Sequence, residues 1–529
     1  MADLLKARES KLLRVLASAF ATMLIVTGCS SGGSETSDES GSTPTTIVLA
    51  DNEPPQTFDP IQAGNSTVNA VVIPLYDTLI DFDAKSELGS RLAESWTVSE
   101  DGLKIDMTLR SGVKFHDGAE LTSADVQYTM DRVKELNVGV AAEVLAYDST
   151  TVKDNLNFTI NLSEPSAPFL SALSRIYILN SALVKANEGS DLGQAWLSSN
   201  DAGSGPYTLK SYATNQEAAF EKFPDYYRGF DGQADSVVIR YIVESSTQRD
   251  ALLNGDVDIA YDVATTDLAS FESNADFEVT KADTLVQLYI FFNMQKGETV
   301  DPKVREAIRL AYDYQSHVDS ILAGNGAIAE GPLPSVMNCH ANIAPGKQDL
   351  EKAKQLLAEA GKSDLKLTMS YLSVIEEMNR AGTLLQSALR EIGVELTLQT
   401  VTFPEYMEQV STVETTPDLG MIYAFPSYPD PHSVLAINFD STYIGGGYNY
   451  ASYNNPEVDS LVRDAAVSTD QAVRCSLYEK VQQIVEGDFV SINISNPKFV
   501  VVKRAGITGD IYRPAHHNTL DIYNIKLTN

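Results

Sequence analysis

Residues 349–398 read DLEKAKQLLAEAGKSDLKLTMSYLSVIEEMNRAGTLLQSALREIGVELTL, and this stretch decides the fold class. Asp349 is a suitable N-cap for a helix that Gly361 ends, with apolar residues at helical spacing between them. Residues 365–371 then read as a strand, a second helix follows, and residues 394–398 alternate as a strand with one buried face. This β-α-β order predicts an α/β domain with short crossovers.

Upstream of that stretch the pattern is more mixed. Folded sequence begins at Thr45, and residues 46–50 read as a first strand. Residues 104–110 alternate as another strand, and after a turn Thr122 or Ser123 caps a helix. Strands and helices therefore alternate through the whole folded part.

The N-terminus has the features of an export signal. Four basic residues within positions 6–14 precede the uncharged segment 15–28, whose 14 residues are too few for the roughly 20 that span a bilayer. Val26-Thr27-Gly28-Cys29 resembles the bacterial lipobox, which implies that residues 1–28 are a lipoprotein signal peptide and that Cys29 is lipidated. The alternative is an ordinary secretory signal with an incidental cysteine. Residues 29–44 are rich in Ser and Gly, which predicts a flexible tether.

Composition and charge exclude several classes of protein. Apolar residues make up 43% of the 529 residues, which indicates a folded chain. The net charge of −33 disfavours binding to nucleic acid. Three cysteines are too few for a disulfide-built scaffold or a four-thiolate zinc site.

Chemical motifs do not indicate an enzyme. The sequence contains no G-x-S-x-G, Walker A, G-x-G-x-x-G or H-E-x-x-H motif, and no histidine pair has zinc-helix spacing. His116-Asp117-Gly118 could hold a His–Asp pair of a secreted hydrolase, but Asp-Gly after a strand is typical of a turn. We therefore predict no catalytic residues, no metal site and no cofactor.

Several motifs, in order, carry a resemblance to a known family. Residues 92–96 (LAESW), 109–118 (LRSGVKFHDG) and 121–126 (LTSADV) resemble the signature of family 5 extracellular solute-binding proteins, the dipeptide, oligopeptide and nickel receptors of ABC importers. Residues 57–60 (TFDP) and 224–229 (PDYYRG) agree as well, and the similarity extends from about residue 45 to residue 529.

The resemblance implies a two-lobed, periplasmic-binding-protein-like α/β fold (type II, the large cluster C form) with a hinge between the lobes. Lobe I would comprise residues 45–286 and 497–529, and lobe II residues 287–496. A solute would be enclosed as the lobes close. The protein would act outside the cytoplasm as a monomer, anchored to the membrane through lipid on Cys29, and deliver its solute to a permease and an ATPase on other chains.

The resemblance also indicates where the solute binds. Residues 421–431 (MIYAFPSYPDP) resemble the lobe II segment in which peptide receptors hold the ligand's ammonium with an aspartate, and here Ser427 stands at that position. A hydroxyl cannot supply the charge-assisted bond, so Asp430 or another acid must do so if the cargo is a peptide. The candidate ligand-binding residues are Phe58, Tyr423, Phe425, Ser427, Tyr428, Asp430 and Tyr448.

The sequence leaves open the identity of the solute and the state of the two remaining cysteines. The solute is a peptide or a peptide-sized compound; the alternatives are an oligosaccharide or a chelated metal. Cys339 and Cys475 are candidates for a disulfide because two thiols remain, in an oxidising compartment, once Cys29 is lipidated. The other interpretation is a buried free thiol at Cys475, on an amphipathic helix.

Overall fold

The structure is a computed structural model that describes residues 45–445, 448–509, 511–516 and 519–528. The predicted signal peptide, the lipidation site Cys29 and the tether lie outside these residues. Within the described ranges, no helix is both long and apolar enough to cross a membrane.

The strands are short and are distributed over the whole described chain. In chain order they are β1 (Thr46–Asp51), β2 (Ile80–Phe82), β3 (Leu88–Ser90), β4 (Ala93–Val98), β5 (Lys104–Leu109), β6 (Tyr147–Val152), β7 (Asn157–Leu162), β8 (Tyr207–Ala213), β9 (Glu217–Lys222), β10 (Ser236–Tyr241), β11 (Ile259–Ala260), β12 (Phe277–Ala282), β13 (Gln287–Phe292), β14 (Gly326–Ile328), β15 (Leu365–Leu372), β16 (Val394–Val401), β17 (Leu419–Ala424), β18 (Ser491–Pro497), β19 (Phe499–Arg504), β20 (Ile507–Thr508) and β21 (Lys526–Leu527).

The helices alternate with these strands, as the sequence pattern predicts. They are α1 (Ser66–Leu75), α2 (Ser123–Leu136), α3 (Pro168–Ala172), α4 (Ser181–Ala186), α5 (Gln194–Leu197), α6 (Ser245–Asn254), α7 (Leu268–Glu272), α8 (Pro302–Ala311), α9 (Tyr314–Ser316), α10 (Leu350–Glu359), α11 (Glu376–Glu391), α12 (Phe403–Gln409), α13 (His432–Phe439), α14 (Pro456–Val467) and α15 (Gln471–Gly487).

Two large sheets divide the described chain into two lobes. The first sheet has seven strands in the order β12-β19-β11-β1-β10-β9-β8, and a four-stranded sheet β4-β5-β7-β6 accompanies it. The second large sheet has six strands in the order β14-β18-β13-β17-β15-β16. We name the part that contains the seven- and four-stranded sheets lobe I, and the part that contains the six-stranded sheet lobe II. Each has its own hydrophobic core.

Lobe II contains the β-α-β unit that the sequence predicts. The Asp349 carboxylate accepts a hydrogen bond from the backbone N–H of Lys352 at 2.9 Å and caps α10. Gly361 follows that helix with φ 69°, a backbone conformation that favours glycine. Strands β15 and β16 pair in parallel from Leu365–Val394 to Leu372–Val401, with α11 as the crossover between them. The predicted cap, both helices and both strands are confirmed.

In lobe I the structure settles which residue caps α2. Thr122 is the N-cap, and the Asp125 carboxylate accepts hydrogen bonds from the Thr122 backbone N–H and hydroxyl, both at 2.9 Å. This capping box satisfies donors that the helix itself leaves unpaired. Ser123 is the first helical residue, and the predicted strand before it is β5.

The chain crosses between the lobes twice at neighbouring points. It leaves lobe I after β12 and enters lobe II at β13, and it returns between β18 and β19. The Thr284 hydroxyl in the first crossing donates a hydrogen bond to the Pro497 carbonyl in the second at 2.7 Å. Two crossings that lie side by side form a hinge.

A disulfide joins Cys339 and Cys475 within lobe II. Their Cα atoms lie 4.6 Å apart, and 136 positions separate them in the sequence. The bridge connects the loop after β14 to helix α15. The Gln482 amide on the same helix supports that loop, because it donates to the Cys339 carbonyl at 2.8 Å and accepts from the Ala341 N–H at 3.0 Å.

Candidate functional site

Two adjoining cavities lie between the lobes beside the crossings. The first has a volume of about 410 Å³ and is lined by both lobes; we name it the acidic compartment. The second, of about 620 Å³, is lined mostly by lobe II, and we name it the aromatic compartment. Asn52, Asp262, Tyr423 and Phe425 line both, so the two compartments form one cleft. Their volumes are in the range of small-molecule sites.

The acidic compartment takes its character from the ends of two neighbouring strands. Strands β1 and β11 pair in parallel, so their carboxyl ends meet at one edge of the sheet. Asp51 is the last residue of β1, and Asp262 follows β11 by two positions. Both carboxylates therefore line the same compartment although the chain separates them widely.

Both carboxylates are held in surroundings that disfavour their charge. Burial raises the pKa of Asp51, which is only 5% exposed, although hydrogen bonds from Tyr261 and from the Glu53 backbone oppose the shift. Burial also raises the pKa of Asp262, opposed by the Asn52 amide, whose nitrogen donates to a carboxylate oxygen of Asp262 at 3.1 Å. Among the described residues, no Lys or Arg forms an ion pair with either carboxylate.

A lysine that lines the acidic compartment is paired with a different carboxylate. Lys498 lines the acidic compartment, but its Nζ lies 3.5 Å from an oxygen of Asp283 in the first crossing. The compartment therefore carries negative charge that a cationic group of a bound molecule can balance.

Aromatic rings and apolar side chains form the other wall of the cleft. The rings of Tyr423 and Phe425 are tilted at 59°, with their centroids 5.6 Å apart. Tyr289 and Tyr450 lie deeper in the aromatic compartment, and Tyr448 stands at its rim, 41% exposed. Such a wall can receive an apolar or planar group.

The structure brings three of the predicted ligand residues, Tyr423, Phe425 and Tyr448, to the cleft. Phe58 is instead fully buried in the core of lobe I, where its ring packs edge-on against Tyr212 with centroids 4.9 Å apart. Tyr428, although it belongs to the lobe II segment, is 4% exposed and packs into the core of lobe I. We therefore leave Phe58 and Tyr428 out of the site proposed below.

Asp430 is paired with a cation of its own lobe. Nη2 of Arg474 donates to both carboxylate oxygens of Asp430 at 2.9 Å, and both side chains are buried. A carboxylate oxygen also accepts from the His432 N–H at 3.0 Å. Because the Arg474 guanidinium already balances the charge of this carboxylate, we leave Asp430 out of the site proposed below.

Ser427 lies at a contact between the lobes. Glu143 of lobe I forms a side-chain hydrogen bond with Ser427, which lowers the pKa of Glu143, while burial raises it by more. The position without a carboxylate in lobe II is thus approached by a carboxylate from lobe I. Sequence reasoning missed Glu143, Asp51 and Asp262; an acid at the end of a strand was the available signal for the last two.

His116 does not have a catalytic arrangement. Its Nδ1 lies 2.6 Å from an oxygen of Asp201 and its Nε2 lies 3.0 Å from the Gly205 carbonyl, so both ring nitrogens are occupied. Asp117 accepts from the Ala119 N–H at 2.9 Å, which is the predicted turn. In the residues that the structure describes, no three His, Cys, Asp or Glu side chains are placed to hold a metal ion.

Comparison with known proteins identifies the class. Residues 87–446 match the family described as "Bacterial extracellular solute-binding proteins, family 5 Middle". The chain belongs to this family, whose members are solute-binding components of ABC importers and not enzymes. They act outside the cytoplasm. The expected two-lobed α/β fold is confirmed.

Three similar proteins illustrate the range of cargo. The probable D,D-dipeptide-binding periplasmic protein DdpA of Escherichia coli is 28% identical over 490 residues, which cover 90% of this chain and 93% of that protein. The periplasmic binding protein DppA from Helicobacter pylori, in complex with the peptide STSA, has a TM-score of 0.78 at 24% identity and covers 92% of this chain and 99% of its own. NikZ from Campylobacter jejuni, in complex with Ni(L-His), has a TM-score of 0.79 at 23% identity; the match covers 91% of this chain and 99% of the NikZ chain.

Proposed function

We propose that this protein is a lipid-anchored receptor that captures a short peptide or a peptide-sized solute between its lobes and delivers it to the permease of an ABC importer. The observation that carries the proposal is the cleft itself, in which two carboxylates without a cationic partner face an aromatic wall. The D,D-dipeptide-binding relative and the peptide-bound structure of the same fold support this choice of cargo.

In this proposal the acidic compartment binds the solute's ammonium group. Asp262 forms an ion pair with the ammonium group, and Asp51 provides a second negative charge in the same compartment. The ion pair compensates for the hydration that both carboxylates lose on burial. Hydrogen bonds to charged groups contribute about 1.5–3 kcal/mol. Asp262 and Asp51 of lobe I thus supply the negative charge that Ser427 of lobe II cannot.

The aromatic compartment receives the solute's apolar side chain. Tyr423, Phe425 and Tyr448 present ring surfaces, and Tyr289 and Tyr450 line the inner end. Aromatic rings bury a large apolar area at low conformational cost. A sugar ring can stack on the same surfaces, so an oligosaccharide remains the second candidate, and a metal chelate the third.

A ligand screen tests the proposal. The purified extracellular domain would be melted with D-alanyl-D-alanine, the peptide Ser-Thr-Ser-Ala, maltotriose and nickel–histidine. Binding stabilises the native state by about 2.7 kcal/mol at a hundredfold excess over Kd, which a thermal melt resolves. We expect one of the peptides to raise Tm. Stabilisation by maltotriose or nickel–histidine alone would contradict a peptide cargo.

Asp262→Asn is expected to weaken binding of the stabilising peptide roughly 10- to 150-fold, because the neutral amide cannot balance an ammonium group. Since the pKa of Asp262 is raised, wild-type affinity should fall on acidification at a higher pH than an ordinary carboxylate would dictate. The variant should lose the part of that dependence that Asp262 contributes, while Asp51 keeps its own. Isothermal titration calorimetry over a pH series provides both measurements.

Asp256→Asn is the matched control for this variant, because it removes the same charge from an exposed residue of lobe I. Equal affinities of the two variants would contradict an ammonium site at Asp262.

The membrane anchor is proposed from the lipobox-like sequence that ends at Cys29, which lies outside the described residues. Cys29→Ser is expected to abolish fatty-acid incorporation, because the Cys29 thiol is the only possible lipid acceptor at that position. The variant should be released from the membrane or remain unprocessed. Metabolic labelling with a fatty acid measures this, and unchanged labelling would disprove the anchor. We further propose that the receptor acts as a monomer, which light scattering tests.

A further inference from the structure

A cluster of buried and half-buried polar side chains lies behind the aromatic wall in lobe II. The Tyr423 hydroxyl donates to Oε2 of Glu377 at 2.5 Å. Oε1 of Glu377 lies 3.1 Å from Nε2 of His317, and Nδ1 of His317 lies 2.8 Å from the Tyr312 hydroxyl. The Ser495 hydroxyl also approaches Oε1 of Glu377, at 3.4 Å. Tyr312 and His317 come from one stretch of the chain and the other three side chains from separate segments, with Glu377 at the centre.

The direction of each hydrogen bond follows from the groups present. Burial and the adjacent charge of Glu377 raise the pKa of Tyr423 well above its usual range, so this hydroxyl stays protonated and donates. A His317 tautomer with its proton on Nε2 directs that proton toward Glu377 and the Ser495 hydroxyl, which lies 3.2 Å from Nε2, and leaves Nδ1 to accept from Tyr312.

No further side chain among the described residues forms a hydrogen bond with the Glu377 carboxylate. Among the described residues, no Lys or Arg forms an ion pair with Glu377, and the contact with His317 is a hydrogen bond with a neutral ring. Arg380, one turn further along α11, directs its guanidinium to the Ile321 and Ser320 carbonyls. Three donors therefore hold the Glu377 carboxylate, and one of them is the side chain that stands in the cleft.

Tyr423 is the residue on which this arrangement acts. Its side chain lines both compartments, so its ring lies at their boundary, tilted against Phe425. A tyrosine without a partner for its hydroxyl can change rotamer, and the boundary would then move. The hydrogen bond from this hydroxyl to Glu377 favours a single position of the ring.

We propose that Glu377, itself fixed by His317, is a positioning residue of the cleft: it holds the Tyr423 ring as a fixed partition between the two compartments. The cleft thereby selects a solute whose cationic group and apolar group lie on opposite sides of that ring. This inference rests on the function proposed above and adds a residue that needs no contact with the solute.

A double-mutant cycle tests the proposal, with D-alanyl-D-alanine as the probe and calorimetry as the measurement. Glu377→Ala and Tyr423→Phe should each weaken binding about tenfold, as expected for one lost bond to a charged group. The double variant should bind about as weakly as either single variant, because both remove the same bond. Effects that multiply to about a hundredfold would overturn the proposal.

Two further variants separate positioning from general damage. Glu377→Gln keeps an acceptor oxygen for the Tyr423 hydroxyl and should restore most of the affinity. Glu376→Ala removes the exposed neighbouring carboxylate on the same helical turn and should have no effect. If Glu377→Ala does not fold, Glu377→Asp, which withdraws the carboxylate by one methylene, replaces it in the cycle. A Glu377→Gln variant as weak as Glu377→Ala would contradict the proposal.

A measurement without solute keeps this test distinct from that of the proposed function. In protein labelled with ¹³C-tyrosine, the ring signal of Tyr423, assigned by its loss in Tyr423→Phe, should be a single sharp resonance in the wild type and should shift or broaden through rotamer exchange in Glu377→Ala. An unchanged signal would overturn the positioning role whether or not the peptide binds. A changed signal in a protein that binds no peptide would support positioning and refute the cargo.

Discussion

Replacing both Cys339 and Cys475 by serine is expected to lower the free energy of unfolding of lobe II by roughly 5 kcal/mol, because the bridge closes a loop of 136 residues in the unfolded chain. The folded geometry should persist, since Gln482 still holds the Cys339 loop to α15 through two hydrogen bonds. The variant is therefore expected to fold and to unfold at a lower denaturant concentration.

The two tryptophans make this measurement specific. Trp96 and Trp196 both lie in lobe I, so their fluorescence follows lobe I, whereas far-UV circular dichroism follows both lobes. We expect the dichroism transition in urea to move further than the fluorescence transition. The wild type in reducing agent serves as the second reference. Coincident curves for variant and wild type would show that the bridge contributes nothing.

Arg474→Met is expected to destabilise lobe II by about 3–5 kcal/mol, because it leaves the buried Asp430 carboxylate without its cation. The guanidinium also donates to the Ala465 carbonyl and to the Gln471 side chain, both at 3.2 Å, and these bonds are lost as well. Thermal unfolding of the oxidised protein measures the effect.

The double variant Asp430→Asn with Arg474→Met provides the control. A neutral amide still accepts from the His432 N–H and leaves no charge buried, so much of the lost stability should return. If the double variant is as unstable as the two single losses added together, the Asp430–Arg474 pair does not act as an isolated charge pair.

The parts of the fold that depend on neighbouring residues could be predicted from the sequence. Asp349 and Gly361 delimit α10, and the Thr122–Asp125 capping box starts α2. In each case the residues that decide the element lie within it or beside it. Hydrophobic periodicity placed β15 and β16 for the same reason.

The candidate site could not be predicted in the same way, because it is formed by contacts between residues that are far apart in the sequence. Asp51 and Asp262 become neighbours only because β1 and β11 pair in parallel. Asp430 was a reasonable ligand candidate until Arg474, on a different helix, proved to be its partner. Tyr428 looked like a cleft residue by its position in the segment, but its ring packs into the other lobe. Family resemblance located the segment and could not orient its side chains.

The position of β19 has a consequence for how the protein acquires its structure. This strand lies inside the seven-stranded sheet, between β12 and β11, yet it begins at residue 499. Lobe II is one uninterrupted segment and can complete its core early, whereas lobe I must wait for the last few dozen residues of the chain. Until they arrive, β11 lacks a partner on one edge and β12 lacks the strand that joins it to the sheet, and such unpaired edges are surfaces on which chains aggregate. Completion of lobe I therefore depends on β19, and we expect a chain cut short before this strand to leave lobe I unfinished.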